Sequence, residues 1–405
     1  MASVLSPRQK PPKGRLFPGV PPPRTSPEGA LRQPLDRSRE TFRHRAARAS
    51  RQGALAMLLA APLLFLAVTA HDRGFVSPTL KFVVDRAHLA TSGSGLSHLQ
   101  YVYPPLPVLL SIILPGDQLS LAVCACLFSG LVGSVLVMRI GLVRAMTLGL
   151  PLIAVPQMWF MSSELLPPVV ALAFLAVALF GFIEFASYGE TYGGFIAGLA
   201  LAASYAADPG ALLYAVVMCL FVPFLGAGRY HGDPRGPVGA AAVIAFPCVA
   251  MAACWSFLIW KFSGTWPGDL NYSPNAHVLQ FPYGVLGGLG HAFASAFADL
   301  ARSTLYIATA VLLTMRRHTI VLGAGMLLPA LALALALWLG YAYTAINAYY
   351  MFVLLAIAMV TNHRLMDSQR DATVLAIAAV VQVIIGIKLL PPSPGYTVWQ
   401  HLMFQ

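Results

Sequence analysis

The sequence predicts an all-α fold: a polytopic transmembrane helical bundle of about 11 spans, with juxtamembrane helices on its outer face. Three observations predict it. Hydrophobic residues fill 58% of the 405 positions and charged residues only 10%. Apolar runs of about 20 residues recur from Ala54 to the C-terminus, long enough to cross about 30 Å of hydrocarbon at about 1.5 Å per residue. The charges gather in short segments between those runs, as the cost of placing them in hydrocarbon requires. A mean hydropathy of +0.72 excludes a soluble multi-domain enzyme.

Residues 1–53 hold 12 of the 26 Lys and Arg in a Pro-, Arg- and Ser-rich context. Such a segment buries too little apolar surface to offset its ordering entropy, so a disordered basic cytoplasmic tail is expected. The net charge of +11 is concentrated in that tail. It therefore argues for a topogenic role or attraction to anionic membrane lipid, and against a nucleic-acid partner. The run at 54–70 follows too long a tail, and "VTAHD" is too weak a cleavage pattern, for a signal peptide, so it reads as a retained anchor.

With the tail in the cytoplasm, the spans fall near 54–70, 118–138, 145–161, 165–183, 192–207, 211–227, 237–260, 302–315, 319–340, 344–361 and 372–389. The cytoplasmic loops then carry Arg139, Arg144, Arg229, Arg235, Arg316, Arg317, Arg364 and Arg370. The outer segments carry Arg73, Lys81, Arg86, Lys261, Arg302 and Lys388, spread over long loops that count little in topology. "PPLPVLLSIILP" (104–115) is apolar, short and bracketed by Pro, so it is expected as an interfacial or re-entrant helix. The membrane domain is 54–389, with outer loops 71–117 and 261–301, and 390–405 is a short outer tail. The five Cys all lie in apolar runs and read as small hydrophobes.

Polar residues at the membrane edge are the candidates for chemistry. His71 and Asp72 end the first span. Lys81, Asp85 and His88, spaced four and three apart, share one face of a helix. His98, Gln100, Tyr101 and Tyr103 follow a Gly-Ser break. An Asp here can serve as general base or bind a divalent cation, while Lys81 and Arg86 can offset a phosphate. The same spacing also suits an amphipathic interfacial helix whose charges neutralise one another.

Glu164, after Trp159 and Phe160, opens the next span, where it complements a helix N-terminus or supplies a second acid to the cavity of Asp72. Asp208 caps a tight outer turn before Pro209. Trp266, Tyr272 and His277 in the second outer loop, with Asp269 and Asn271, suit a sugar or lipid headgroup, and equally an aromatic interfacial anchor. Lys261 and Arg302 stand at span ends, placed to meet phosphate or to snorkel. Gly-x-Gly-x-x-Gly, Walker and His-Glu-x-x-His patterns are absent, which removes nucleotide hydrolysis and a membrane zinc protease.

The order "AHDRG", "FVVDRAHLATSGS", "YVYPPLPVLLSIIL", "VMRIGLVRAM", "PLIAVPQMWFMSSELL" and "GFIAGLALAASYAADPGALLYAVV" resembles the C-type (GT-C) superfamily of polytopic membrane glycosyltransferases, over residues 54–230. The match lies in an acid in the first outer loop (Asp72), a Tyr-Pro-Pro-Leu segment (103–106) and a carboxylate opening the fourth span (Glu164). The resemblance implies transfer of a sugar from a polyprenyl-phosphate donor to a glycan, lipid or protein acceptor on the outer face. It makes Asp72 the base or metal-linked acid, with Glu164 supporting and Asp85 the competitor. Asp72 and Glu164 would hold a divalent cation, Mg or Mn. Lys81, Arg86, Lys261 and Arg302 would take the phosphate. His71, His98, Tyr101, Tyr103, Trp266, Tyr272 and His277 would line the substrate site. The chain departs from the family pattern in "HDRG", which lacks a paired acid, and in Ala348 before Tyr349. Only "PPSPGYTVWQHLMFQ" follows the last span.

The expectation is thus a multi-pass cell-membrane glycosyltransferase, N-terminus cytoplasmic and active site outside. Its rivals are a lipid or polysaccharide transporter or flippase, and a non-catalytic assembly partner.

Overall fold

The first helix, α1 (Gln33–Asp72), begins inside the segment expected to lack order. Residues 35–52 contain no Gly or Pro and are rich in Arg and Ala, so helix propensity carries through them. The computed structural model describes residues 33–93, 95–188, 191–208, 216, 219, 235–264, 284–316, 368–390 and 392–404, and every regular element among them is helical. The chain divides between Arg51 and Gln52 into two compact units. In the first, the described residues are the helical stretch from Gln33.

Among the described residues, four helices are long and apolar enough to cross a membrane, or six if each of two bent pairs forms one span. The four are Ala49–Asp72 of α1, Gln118–Met138 of α4 (Gln118–Ile140), Val238–Ser263 of α9 (Arg235–Ser263) and α12 (Gln369–Lys388). The first bent pair is α5 (Leu142–Ala154) and α6 (Pro156–Glu164), which meet at 86°. The expected span 145–161 is therefore broken. The cause is local: Val155 precedes a Pro and takes an extended conformation, φ −97° and ψ 114°, because proline disfavours the helical region in the residue before it.

The second bent pair joins α10 (Gly284–Arg302) to α11 (Thr304–Thr314) at 85°. Gln382 of α12, fully buried, serves the corner between them. Its Oε1 accepts from the Leu305 amide at 3.1 Å and the Thr304 hydroxyl at 3.3 Å, and its Nε2 donates to the Arg302 carbonyl at 2.5 Å. A side-chain amide thus engages backbone groups at a helix end, which in a membrane have no water to turn to.

Three further relationships position the remaining helices. α1 and α4 pack at Gly130, where an added Cβ would lie 2.3 Å from the Ala56 carbonyl oxygen. α7 (Leu166–Tyr188) and α8 (Thr191–Ala207) form an antiparallel hairpin in which Gly181 meets Gly193 and Ala197, and the Ser204 hydroxyl donates to the Ala171 carbonyl at 2.7 Å. At one end of the bundle a single apolar cluster joins Ala67 of α1, Leu121 and Ala125 of α4, Leu166 and Val170 of α7, and Ala207 of α8.

On that cluster rest two short helices from the first polar segment. α2 (Pro78–Thr91) buries Leu80, Val83 and Ala87, while Lys81, Asp85 and His88 are exposed on its other side, the division their spacing predicts. α3 (Pro105–Ile113) buries Val108 and Ser111; at nine residues it is too short to span. The five cysteines are free thiols.

Two expectations change. The stretch 390–405, read as a tail, contains α13 (Pro394–Phe404), whose Tyr396 and Trp399 are buried. Glu164 closes α6 and does not open the helix that follows. The expected spans 319–340 and 344–361, and all of 211–227 except positions 216 and 219, lie outside the described residues.

Candidate functional site

The end of α1 is shaped by its own sequence. Gly74, at φ +82°, lets the chain reverse there: the Gly74 amide bonds the His71 carbonyl and the Phe75 amide the Ala70 carbonyl, both at 2.9 Å. This is the Schellman pairing that a glycine after a helix favours, and Phe75 packs back beside Ala70 as the motif requires. The local turn fixes where His71, Asp72 and Arg73 leave the helix, and each then meets a different environment.

His71 turns inward. Its Nε2 lies 3.3 Å from Oε2 of Glu164, whose side chain is fully buried while that of His71 is 13% exposed. The other carboxylate oxygen, Oε1, is enclosed with no hydrogen-bond partner. A buried carboxylate is costly unless paired, and His71 is the partner the structure gives it. Ser77, the N-cap of α2, ties the second segment to the same point. Its hydroxyl donates to the Glu164 carbonyl at 3.1 Å and accepts from the Leu80 amide at 3.4 Å. α1, α2 and α6 therefore converge on Glu164.

Asp72 is exposed beside this pair. Arg73 turns to α13, its guanidinium donating to the carbonyls of Leu402 and Met403 at 2.5 and 3.0 Å. Those are last-turn carbonyls that no helical amide reaches. α13 also sits on an aromatic cluster: Phe160 packs against Phe75, Tyr396 and Trp399 with ring centroids 6.2, 5.9 and 5.8 Å away. Phe160 and Glu164 are four residues apart and so share a face of α6. Burial pushes the Tyr396 phenol above its ordinary pKa, keeping it protonated.

The other residues singled out in the sequence fall into separate groups. Arg86 ties a 3-10 helix, Leu96–Tyr101, to α2: it donates to the Gln100 carbonyl at 3.3 Å and lies over the Phe82 and Tyr101 rings at 5.0 and 5.9 Å. His98 Nδ1 is 2.9 Å from the Leu89 carbonyl, on the same seam. Tyr103 is buried and its hydroxyl donates to that of Tyr205 at 2.8 Å. Lys81 and Asp85 are exposed on α2, and Lys261 is exposed near the end of α9. Asp208 follows α8, its amide on the Ser204 carbonyl. Arg302 belongs to the α10–α11 corner served by Gln382. Trp266, Tyr272 and His277 lie outside the described residues.

The sequence reading missed Ser77, Phe75, Tyr396 and Trp399. For α13 a signal existed: Tyr396, Trp399 and Met403, spaced three and four apart, form a helical apolar stripe. For Ser77 the signal was Ser followed by Pro, an N-cap before a favoured first helical residue.

Chemically, the arrangement provides a His-carboxylate pair able to share a proton, next to an exposed carboxylate. Enclosed as it is, Glu164 reaches a reactant in this conformation only through His71. Among the described residues no three His, Cys, Asp or Glu side chains gather as metal ligands. Of the two carboxylates expected to hold a divalent cation, Glu164 is enclosed with its Oε2 facing His71, and Asp72 is exposed. No family model, no curated protein and no solved structure matches the chain.

Proposed function

We propose that this chain is a multi-pass membrane glycosyltransferase that moves a sugar from a polyprenyl-phosphate donor to a cell-envelope acceptor on the outer face. The observation that supports it most is the enclosed His71–Glu164 pair beside exposed Asp72 at one end of an apolar bundle. In this reading the acceptor hydroxyl gives its proton to the Asp72 carboxylate as its oxygen bonds the sugar's anomeric carbon. The bond from that carbon to the phosphate oxygen breaks, and polyprenyl phosphate leaves with the electron pair. Glu164 acts by positioning His71 beside the reacting groups. Exposed Lys81, one turn into α2, supplies positive charge for the departing phosphate. A lipid donor partitions into the membrane, so a polar site at the end of spans meets it by lateral diffusion.

The proposed topology keeps eleven spans; four of them, 54–70, 118–138, 237–260 and 372–389, fall on helices long and apolar enough to cross a membrane, and the others rest on the apolar runs of the sequence. The basic N-terminal segment lies in the cytoplasm.

The test is sugar transfer from a radiolabelled polyprenyl-phosphate sugar by the full chain in nanodiscs. Asp72→Asn is expected to lower the rate about 10²–10⁴-fold, the usual contribution of a general base. Unchanged transfer would reject the assignment of Asp72. Absence of transfer by the wild-type chain, with lipid or polysaccharide translocation that Asp72→Asn leaves intact, would instead support a transporter.

A further inference from the structure

A second site lies away from the His71–Glu164 pair, between α11 and α12. These helices run antiparallel: Thr304 meets Ala378 and Gln382 at one end, and Arg316 pairs with Asp371 at the other. Along them runs a cavity of about 390 Å³. Ile307, Val311 and Met315 line it, at spacings that put them on one face of α11, and Val374 faces them from α12. All four are more than a third exposed. From Thr304 to Met315 the groove is about 17 Å long at about 1.5 Å per residue.

Its two ends differ. The Thr304 end closes on the Gln382 hydrogen bonds. The other end carries Arg316, Arg370 and Asp371, giving one excess positive charge at the mouth. That mouth is the start of α12, one of the helices long and apolar enough to span a membrane. The mouth therefore falls where a span meets the headgroup layer, and the apolar length falls where acyl chains lie. The first amides of α12 add to the attraction for an anion there.

We infer that this groove is a binding site for one anionic glycerophospholipid, with an acyl chain along Ile307, Val311 and Val374 and its phosphate on Arg370 and Arg316. An arginine pair suits phosphate because the planar guanidinium presents parallel N–H donors to its oxygens. A basic pocket between spans is a recurrent way of holding such a headgroup. Asp371 opposes the phosphate and limits affinity, while its contact with Arg316 holds that guanidinium at the mouth. The site does not depend on the glycosyltransferase reading, only on the chain lying in a membrane.

Native mass spectrometry of the delipidated full chain in detergent tests it, titrating phosphatidylglycerol against phosphatidylcholine of the same acyl chains. The expected result is a preference for phosphatidylglycerol of about fivefold or more, the scale of one arginine near a charged headgroup. Arg370→Gln removes most of that preference, Asp371→Asn increases it, and Val311→Trp, which fills the groove from an exposed position, weakens binding of both lipids. Equal binding of the two lipids to the wild-type chain overturns the inference. So does a preference that survives both Arg370→Gln and Val311→Trp, or displacement of phosphatidylglycerol from this site by equimolar polyprenyl phosphate.

Discussion

His71 Nε2 stands 3.3 Å from Glu164 Oε2, linking the last turn of α1 to the last residue of α6 across 93 residues of chain. The contact lets a fully buried carboxylate exist in an apolar bundle. His71→Ala withdraws that partner and is expected to destabilise the chain by about 1–3 kcal/mol. His71→Ala combined with Glu164→Gln recovers part of the loss, because the neutral amide is cheaper to bury. Thermal unfolding of the four proteins of this cycle in detergent measures the coupling. Strict additivity would mean that the two side chains do not interact.

Arg73 and the aromatic cluster hold α13 in place from opposite ends. Trp399 is fully buried against Phe160, so Trp399→Ala is expected to cost about 3–5 kcal/mol and to free the helix. Arg73→Ala removes only an exposed cap on two carbonyls, a loss of about 0.3–1 kcal/mol. Limited proteolysis within 394–404 should therefore accelerate strongly in the first variant and slightly in the second. Equal rates would assign the docking to some other contact.

Two glycines of α4 separate space from conformation. A Cβ on Gly130 meets the Ala56 carbonyl oxygen at 2.3 Å, whereas one on Gly133 meets only the end of the Leu59 side chain at 3.0 Å. Gly130→Ala must push α1 from α4 and is expected to lose about 1–3 kcal/mol. Gly133→Ala needs only a rotation of Leu59, offset by the better helix propensity of alanine, about 1 kcal/mol. Unfolding in a graded detergent mixture would rank them, and a Gly130→Ala protein as stable as wild type would refute the close approach.

Gln382→Leu replaces a buried amide by an apolar side chain of similar size. The change removes the hydrogen bonds to Leu305 and Arg302 at the α10–α11 corner, at about 1–3 kcal/mol for each buried group left unsatisfied. Gln382→Asn keeps the chemistry but shortens the reach, and should fall between the two. Hydrogen exchange at the Leu305 amide is the direct readout: it should rise in Gln382→Leu. If it does not change, the amide is protected by something else.

Much of the local structure was legible in the sequence. The spacing of Lys81, Asp85 and His88 announced the exposed face of α2, while the signal in Ser77-Pro78 for its start went unread. The break after Val155 was not foreseen in the expected span 145–161, although Pro156 carried a signal for it; the depth of the bend, 86°, was hidden because a proline fixes its own φ and its neighbour's region, not the packing of the two arms. The His71–Glu164 site was half legible. Both residues stood out as polar groups at the edges of apolar runs, but Asp72 drew attention as the acid while the structure turned His71 inward. A difference of one residue, about 100° around a helix, decided which side chain met Glu164.

The sequence by itself determined that this chain is helical, that several helices have membrane length, and where many of them begin and break, because those features follow from apolar run length and from Ser, Pro and Gly acting on neighbouring residues. Only the tertiary structure decided that Glu164 meets His71, that α13 docks on Phe160, and that Gln382 serves a corner in another helix. Helical periodicity tells each helix which face to bury but carries no information about which partner buries it. Those contacts join residues about 80 to more than 200 positions apart and are set by how the helices pack together.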